Sequence, residues 1–121
     1  MSPSRRIQKV SSLLKKEISL ILNNELEDQL ISENFITISK IDISSDLHYC
    51  KIHISCSLKE EKKIILVKNL NNLKSVIKHK LCQRIEMRRI PELVFKIDKE
   101  LEKGISVLKI LDELREKEGK T

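Results

Sequence analysis

The sequence contains no tryptophan, no alanine and only two glycines, Gly104 and Gly119, among its 121 residues. Loops that cradle phosphates depend on several closely spaced glycines, so the glycine-rich nucleotide-binding motifs are excluded. Aromatic residues make up 2% of the chain, which argues against binding of single strands on a series of stacked aromatic rings. No apolar run approaches the roughly 20 residues that a membrane-spanning helix requires, so the sequence predicts no membrane partner.

Cysteine is scarce, and its spacing does not suggest a metal site or a disulfide. The three cysteines, Cys50, Cys56 and Cys82, are an odd number and form no Cys-x-x-Cys motif, which is typical of a reducing compartment. The N-terminal residues lead into an amphipathic pattern rather than an apolar signal segment. We therefore expect a cytoplasmic protein, and an organellar origin with the targeting segment already removed is the alternative.

The residue types that carry catalysis do not occur at useful spacings. His48 and His53 are five apart in an extended segment, so their side chains point to opposite faces and cannot share a metal ion. His79 has no carboxylate three or four residues away, and Cys82 has no base at a recognisable spacing. The sequence thus predicts a protein that is not an enzyme and that takes no metal, cofactor or small-molecule substrate.

Positive charge is concentrated in two segments of the chain. The formal net charge is +6, to which residues 1–20 contribute +4 and residues 74–89 contribute +5, so the remainder is mildly acidic. Lysines alternate with acids in residues 59–63 and 115–120, a pattern typical of solvated surface. In residues 74–89 a single acid stands against six cations, which favours contact with nucleic acid over passive surface.

Hydrophobic periodicity predicts that the chain begins with an amphipathic helix. Ser2 and Pro3 suit the N-cap and the first helical position. Cations lie opposite the apolar face of this helix, as at Arg5 and Lys9, and residues 24–34 are polar enough to form a loop. The apolar face consists of Ile7, Val10, Leu14, Ile18 and Ile21.

Two strands are predicted next, over residues 35–44 and 48–56. The alternation of the first strand slips after Ile38, and a β-bulge near Ser39 and Lys40 would restore it. The second strand alternates without interruption, which places Cys50, Ile52, Ile54 and Cys56 on one face and Tyr49, Lys51, His53 and Ser55 on the other.

Residues 60–85 return to a helical period, as one long helix or as two helices joined near residues 71–75. A short strand over residues 93–97 and a last helix containing Leu101, Ile105 and Leu108 follow. The order helix, strand, strand, helix, helix, strand, helix predicts an α+β fold in which the helices cover one face of a three-stranded sheet. We expect one domain over residues 1–114 and a frayed charged tail over residues 115–121.

Two motifs in this order resemble the ribosome-binding factor A family. The first is Arg88-Arg89-Ile90-Pro91-Glu92-Leu93, which is followed by Phe95 and then Asp98. The second is the turn Ser44-Ser45-Asp46-Leu47, which precedes a strand that opens with the small residue Cys50. The basic start Arg5-Arg6-Ile7 is a further similarity, and the resemblance covers about residues 4–111.

The resemblance implies a fold similar to type II KH domains without their Gly-x-x-Gly loop. The family carries an Ala-x-Gly helix interruption instead, and the corresponding residues here are Leu73, Lys74 and Ser75. Ser75 can still kink a helix, whereas Leu73 also completes the apolar stripe of a continuous helix. The sequence leaves both alternatives open.

The resemblance further implies a monomeric, non-enzymatic factor that binds the immature small (30S) ribosomal subunit. It would contact the 16S rRNA near the 5′-terminal helix and assist late maturation and rRNA processing, often in the cold. The residues themselves support a salt-sensitive binder of polyanions that contacts phosphates without sequence readout. The residues expected to make these contacts are Arg5, Arg6, Lys9, Lys74, Lys78, Lys80, Arg84, Arg88 and Arg89.

Two other functions fit the same sequence. A general nucleic-acid-binding module of the KH-like type would bind duplexes or loops with similar affinity and would not prefer immature subunits. A small protein–protein adaptor would use the apolar C-terminal helix, and its binding would barely change with salt.

Overall fold

The computed structural model describes residues 5–101, in which four helices and three strands follow one another in the order α-α-β-β-α-α-β. The strands form one sheet in the order β1-β2-β3, in which β1 pairs antiparallel with β2 and β2 pairs parallel with β3. The predicted α+β fold is therefore confirmed. The predicted N-cap at Ser2, and the predicted C-terminal helix and tail beyond Leu101, lie outside the described residues. The elements are α1 (Arg5–Asn24), α2 (Gln29–Ser32), β1 (Thr37–Ile43), β2 (Tyr49–Ser55), α3 (Glu60–Asn72), α4 (Lys74–Arg84) and β3 (Glu92–Ile97).

Helix α1 packs its apolar face against the sheet, as its periodicity predicts. Leu14, Ile18 and Ile21 are buried, whereas Arg5 and Lys9 on the opposite side are exposed. Asn23 at the end of the helix binds both backbone groups of Ile36, because its Nδ2 donates to the carbonyl oxygen and its Oδ1 accepts from the N–H, each at 2.9 Å. This pair of hydrogen bonds fixes the helix to the chain just before β1.

The core lies between the helices and one face of the sheet. Burial of each large apolar side chain contributes about 1.5–3 kcal/mol, so this layer supplies most of the driving force for folding. The other face of the sheet carries exposed polar and aromatic side chains such as Tyr49 and Lys51. The sheet residues of the core are Ile38, Cys50, Ile52, Ile54, Leu93 and Phe95, and the helical residues packed on them include Leu66, Leu70, Ile77 and Leu81.

The β-bulge predicted near Ser39 and Lys40 is confirmed. Ile38 pairs with Ile54 and Lys40 pairs with His53, so Ser39 is the additional residue on β1. The Ser39 hydroxyl donates to Oδ2 of Asp98 at 2.6 Å, which ties the bulge to the residue that follows β3. The same hydrogen bond lowers the pKa of Asp98 below its ordinary value.

The predicted loop over residues 24–34 is partly wrong, because it contains the short helix α2. Asp28 forms the N-cap, since its Oδ1 accepts from the backbone N–H of Ile31 at 3.0 Å. Ile31 is fully buried against the core. A helix of four residues is too short to show a hydrophobic period, so only the capping residue could have indicated it.

The long helical segment is two helices, interrupted at Leu73. This residue has φ −94° and ψ 7°, and its N–H donates to the carbonyls of Asn69 and Leu70 at 3.0 and 3.1 Å. Asn71, two residues earlier, donates to the carbonyl of Phe95 and accepts from its N–H. The helical segment is thus interrupted at the single residue Leu73, Lys74 and Ser75 already belong to α4, and the side-chain anchor of Asn71 to β3 lies just before the interruption.

Candidate nucleic-acid interface

Three parts of the chain that are distant in sequence meet at a surface groove of about 380 Å³. Arg6 reaches it from the first turn of α1, and Arg88 and Arg89 reach it from the connection between α4 and β3. All three arginines are exposed. The remaining lining residues are Val10, Asp46, Leu47, His48, Glu86 and Met87. We call this surface the arginine groove.

The arginine pair is held in place by the residues that follow it. Ile90 and Pro91 are buried, and the N–H of Glu92 donates to the carbonyl oxygen of His48 at 2.8 Å. Helix α4 ends well before this point, at Arg84, and its last hydrogen bond is donated by the N–H of Ile85 to the carbonyl of Leu81. Arg88 and Arg89 therefore project from an irregular segment that is anchored at its C-terminal side.

The positive charge of the arginine groove is not neutralised by ion pairs. Arg6, Arg88 and Arg89 make no salt bridge with any other residue between 5 and 101. The groove also contains the carboxylates of Asp46 and Glu86, so its cations outnumber its anions only slightly. Arg5 and Lys9 add exposed positive charge on the adjoining turns of α1.

Asp46 stabilises the turn between β1 and β2 through two hydrogen bonds. Its Oδ1 accepts from the Ser44 hydroxyl at 2.6 Å and from the N–H of His48 at 3.0 Å. The hydrogen bond from Ser44, followed by that from His48, holds the pKa of this carboxyl below its ordinary value. The carboxylate thus serves first to shape the turn that presents His48 to the arginine groove.

The same turn contains a residue in an unfavourable backbone conformation. Leu47 has φ 61°, in the left-handed region that costs a residue with a Cβ atom about 1–2 kcal/mol. The N–H of Leu47 donates to the carbonyl of Ser44 at 2.9 Å, which closes the turn. Residues held in this way are over-represented at ligand-binding sites.

Arg84 does not belong to the arginine groove. Its Nε donates to Oε2 of Glu17 at 2.6 Å, and its Nη1 donates to Oε2 of Glu25 at 3.1 Å. The hydrogen bond to Glu17 raises the pKa of the guanidinium above its ordinary value. This predicted RNA contact therefore connects α4 to α1 and to the chain after it.

The other cations of α4 are also dispersed. Lys78 forms a salt bridge with Glu92 at 3.2 Å. Lys80 lies at a second groove of about 620 Å³, which also contains three carboxylates, those of Glu25, Glu27 and Asp28. Lys74 alone of the helix's cations is exposed without a salt bridge to another described residue. The six cations of residues 74–89 consequently do not form one continuous patch.

The described part of the chain, residues 5–101, contains no cluster of metal-binding side chains. No group of histidine, cysteine, aspartate and glutamate side chains there could hold a metal ion. Burial raises the pKa of the Cys50 thiol to about 12, so this cysteine is not a thiolate nucleophile. None of the helices in this part of the chain is long and apolar enough to cross a membrane.

Sequence reasoning missed His48 as a residue of the candidate site, although it lines the arginine groove. The neighbouring Tyr49 side chain is 63% exposed but lies on the outer face of the sheet and does not line the groove. The alternation of β2 already placed Tyr49 on the face opposite Cys50. What sequence could not show is that this end of the sheet lies beside Arg88 and Arg89.

A three-stranded α+β domain with exposed arginines along one groove is an arrangement suited to contact with a polyanion. The chain belongs to the ribosome-binding factor A family, whose sequence model matches residues 6–111. The family predicted from the two motifs is therefore confirmed.

Individual relatives agree with this assignment. Ribosome-binding factor A of Prochlorococcus marinus strain MIT 9215 is 59% identical over 117 residues, which cover 97% of this chain and 90% of the relative. The crystal structure of ribosome-binding factor A from Thermus thermophilus has a TM-score of 0.62 at 22% identity, covering 74% of this chain and 93% of that one.

A second similar structure comes from a complex with the small ribosomal subunit. It is a homology model of the Thermus thermophilus ribosome-binding factor A, fitted into a cryo-EM map of that protein's complex with the 30S subunit. It has a TM-score of 0.58 at 23% identity and covers 71% of this chain and 88% of that one. At these identities the two Thermus structures establish the shared fold, and the predicted similarity to KH type II domains is confirmed with it.

Proposed function

We propose that the protein is a non-enzymatic assembly factor that acts in the cytoplasm and binds the immature small ribosomal subunit. The arginine groove would contact 16S rRNA near the 5′-terminal helix, and binding would assist late maturation and rRNA processing. Family membership and the complex of the Thermus relative with the 30S subunit support the partner. The site itself is supported by the geometry of this chain.

One observation carries the proposal. Arg6, Arg88 and Arg89 come from opposite ends of the folded chain, line one groove, and have no ion-pair partner between residues 5 and 101. Unpaired guanidinium groups keep their capacity to bind phosphate, and contact with phosphate releases condensed counterions. The proposed contacts position the protein on RNA without reading a base sequence.

Replacement of both Arg88 and Arg89 by alanine tests the site. Both side chains are exposed, so the fold should survive, whereas loss of two phosphate contacts should weaken subunit binding about tenfold or more at moderate salt. Gradient sedimentation with immature and mature small subunits, at low and high salt, measures the effect. We expect the wild-type protein to travel with immature subunits and the double variant to remain at the top.

A matched control removes the same charge elsewhere. Lys62 and Lys68 are exposed on α3 and make no salt bridge with another described residue, so the double alanine variant should sediment like the wild type. Unchanged sedimentation of the Arg88 and Arg89 variant would contradict the proposed site. Equal binding of the wild type to mature and immature subunits would favour a general RNA-binding module without an assembly role.

A further inference from the structure

The face of the sheet opposite the helices carries exposed side chains in a regular arrangement. On β2, Tyr49 and Lys51 alternate with buried residues, and both are exposed. On β3, Val94 and Lys96 alternate with buried residues in the same way. Lys51 pairs with Val94 in the register of the two strands, so these four side chains lie beside one another on one face. We call these four residues the outer patch.

Two side chains of the outer patch present apolar surface to solvent. Tyr49 is 63% exposed and Val94 is 45% exposed. They are diagonal neighbours, because Val94 pairs with the residue two positions after Tyr49, and side chains placed in this way are within reach of an aromatic ring. Since an aromatic ring gains much free energy from burial, the two side chains together offer a surface on which a planar ligand can stack.

The carboxylates on this face of the sheet are already engaged by cations. Asp42 pairs with Lys51 in the register of β1 and β2, but its carboxylate contacts Lys40 at 3.6 Å and His53 at 3.0 Å. Glu92, the register partner of Tyr49, binds a lysine of α4 at 3.2 Å. The acids beside the outer patch are therefore matched by cations other than the two lysines of the patch.

The lysines of the outer patch keep their positive charge available. Lys51, Lys96 and the nearby Lys99 make no salt bridge with another residue of the described range 5–101. Lys96 and Lys99 also line a groove of about 280 Å³ at the end of β3. Because Lys96 pairs with the residue four positions after Tyr49, this groove begins about 13 Å from the ring along the strand. The other residues that line it are Lys40, His53, Ile97, Asp98 and Glu100.

We propose that the outer patch is a second RNA-binding surface, on which Tyr49 stacks on an unpaired base while Lys51 and Lys96 contact phosphates of the same strand. The inference rests on the proposed function for the class of partner, but it concerns a separate surface, because no residue of the outer patch lines the arginine groove. Sheet faces that combine an aromatic ring with cations bind single-stranded RNA in several folds. Bases in a duplex are stacked on one another, so the ring selects for single strands.

The composition of the chain provides a direct measurement at the outer patch. Since Tyr49 is the one tyrosine and tryptophan is absent, intrinsic fluorescence reports on this ring. Titration with a short single-stranded RNA of mixed sequence should quench the emission, after correction for absorption by the RNA, whereas the same strand annealed to its complement should leave it nearly unchanged. The variant with alanine at Arg88 and Arg89 should still be quenched, because the two surfaces are separate.

Substitution of Tyr49 tests whether the ring contributes affinity. Tyr49→Leu should bind a dye-labelled single-stranded RNA about tenfold more weakly in an anisotropy titration, the effect expected for the loss of one stacked base, and should bind the duplex like the wild type. Tyr49→Phe keeps the ring and should retain most of the affinity. The side chain is exposed, so urea unfolding of both variants should have the midpoint of the wild type.

Substitution of the two lysines tests the phosphate contacts. Alanine at both Lys51 and Lys96 should reduce the slope of log K against log salt concentration by about 1.4 for single-stranded RNA, which is about 0.7 for each phosphate contact. Alanine at both Lys62 and Lys68 is the matched control, because it removes the same charge from exposed positions on α3. The control should keep the slope of the wild type.

Several results would overturn the inference. They are absence of quenching, loss of quenching in the Arg88 and Arg89 variant, and unchanged binding of single strands by Tyr49→Leu or by the double lysine variant. If these variants leave immature subunits but bind RNA like the wild type, the outer patch contacts a ribosomal protein and the inference also fails. In each case the proposed function stands as long as alanine at Arg88 and Arg89 still releases the protein from immature subunits.

Discussion

The arginine groove and helix α4 both carry several cations, but these cations have different surroundings. In the groove, Arg88 and Arg89 are exposed and have no ion-pair partner among residues 5–101. On α4, Arg84 binds two carboxylates and Lys78 binds one. We therefore expect a cation's contribution to RNA binding to depend on the carboxylates that the fold places beside it.

The two regions therefore serve different ends. Helix α4 uses its inner face and two of its cations, Lys78 and Arg84, for contacts within the domain, whereas the arginines of the groove make no ion pair with another described residue. A charged pair that is already satisfied gives up one partner when it binds phosphate, so its net gain is small. An unpaired surface arginine loses no ion pair when it binds phosphate, so its charge-assisted hydrogen bonds add their full free energy to binding.

The largest expected effect is on the free energy of unfolding, which a substitution on α4 should lower far more than a substitution in the arginine groove. Leu81 on α4 is fully buried, and Leu81→Ala should lower the free energy of unfolding by about 2–5 kcal/mol, through lost burial and a residual cavity. Arg89→Ala in the arginine groove should change it by less than about 0.5 kcal/mol. Urea denaturation of both variants measures the difference, and comparable destabilisation would show that the groove is itself a structural element.

The next largest effect is that of Arg84→Gln, which should lower the stability of the domain without changing RNA binding. Arg84→Gln leaves Glu17 without its guanidinium partner at a site where the Glu17 side chain is only 14% exposed, so the midpoint of urea unfolding should fall. The salt dependence of RNA binding should stay that of the wild type, because Arg84 is already paired.

Arg89→Gln provides the reciprocal control for Arg84→Gln. It should leave the unfolding midpoint unchanged and reduce the slope of log K against log salt concentration by about one. A reduced slope for Arg84→Gln at unchanged stability would place Arg84 in the RNA interface and contradict the comparison.

Local patterns sufficed for much of the fold. The apolar stripe of α1 and the alternation of β2 are repeated many times within one element, so each was predicted correctly. The bulge at Ser39 was predicted because a slip in a period of two is visible over a few residues. By contrast, α2 depends on one cap at Asp28 and one buried residue, Ile31, which together form no period.

Contacts between distant residues could not be predicted in the same way. Arg84 and Glu17 are separated by 67 positions, so no local sequence pattern predicts their hydrogen bond. The conformation of Leu73 likewise accompanies the attachment of Asn71 to Phe95 across 24 positions. For this reason the sequence located the cations of residues 74–89 but could not sort the paired from the unpaired, and in the fold they do not form one continuous patch.

The smallest expected effect is that of Glu92→Gln, a substitution that removes the salt-bridge partner of Lys78 on α4. Lys78 and Glu92 form a salt bridge at 3.2 Å, with side chains that are 38% and 54% exposed. Glu92→Gln should cost less than about 0.5 kcal/mol of stability, because exposed ion pairs contribute little. It also removes a negative charge from the residue that pairs with Lys78, so affinity for RNA should rise about twofold.

The origin of that gain is tested by combining two substitutions. If the released lysine contacts phosphate, Glu92→Gln should steepen the salt dependence by up to about one in slope, and Lys78→Ala in the same background should cancel that increase. Lys78→Ala alone should scarcely affect RNA binding, because the lysine is engaged by Glu92 in the native protein. If Lys78→Ala alone weakens binding as strongly as Arg89→Ala, pairing does not withdraw a cation from the interface, and the distinction between the arginine groove and α4 fails.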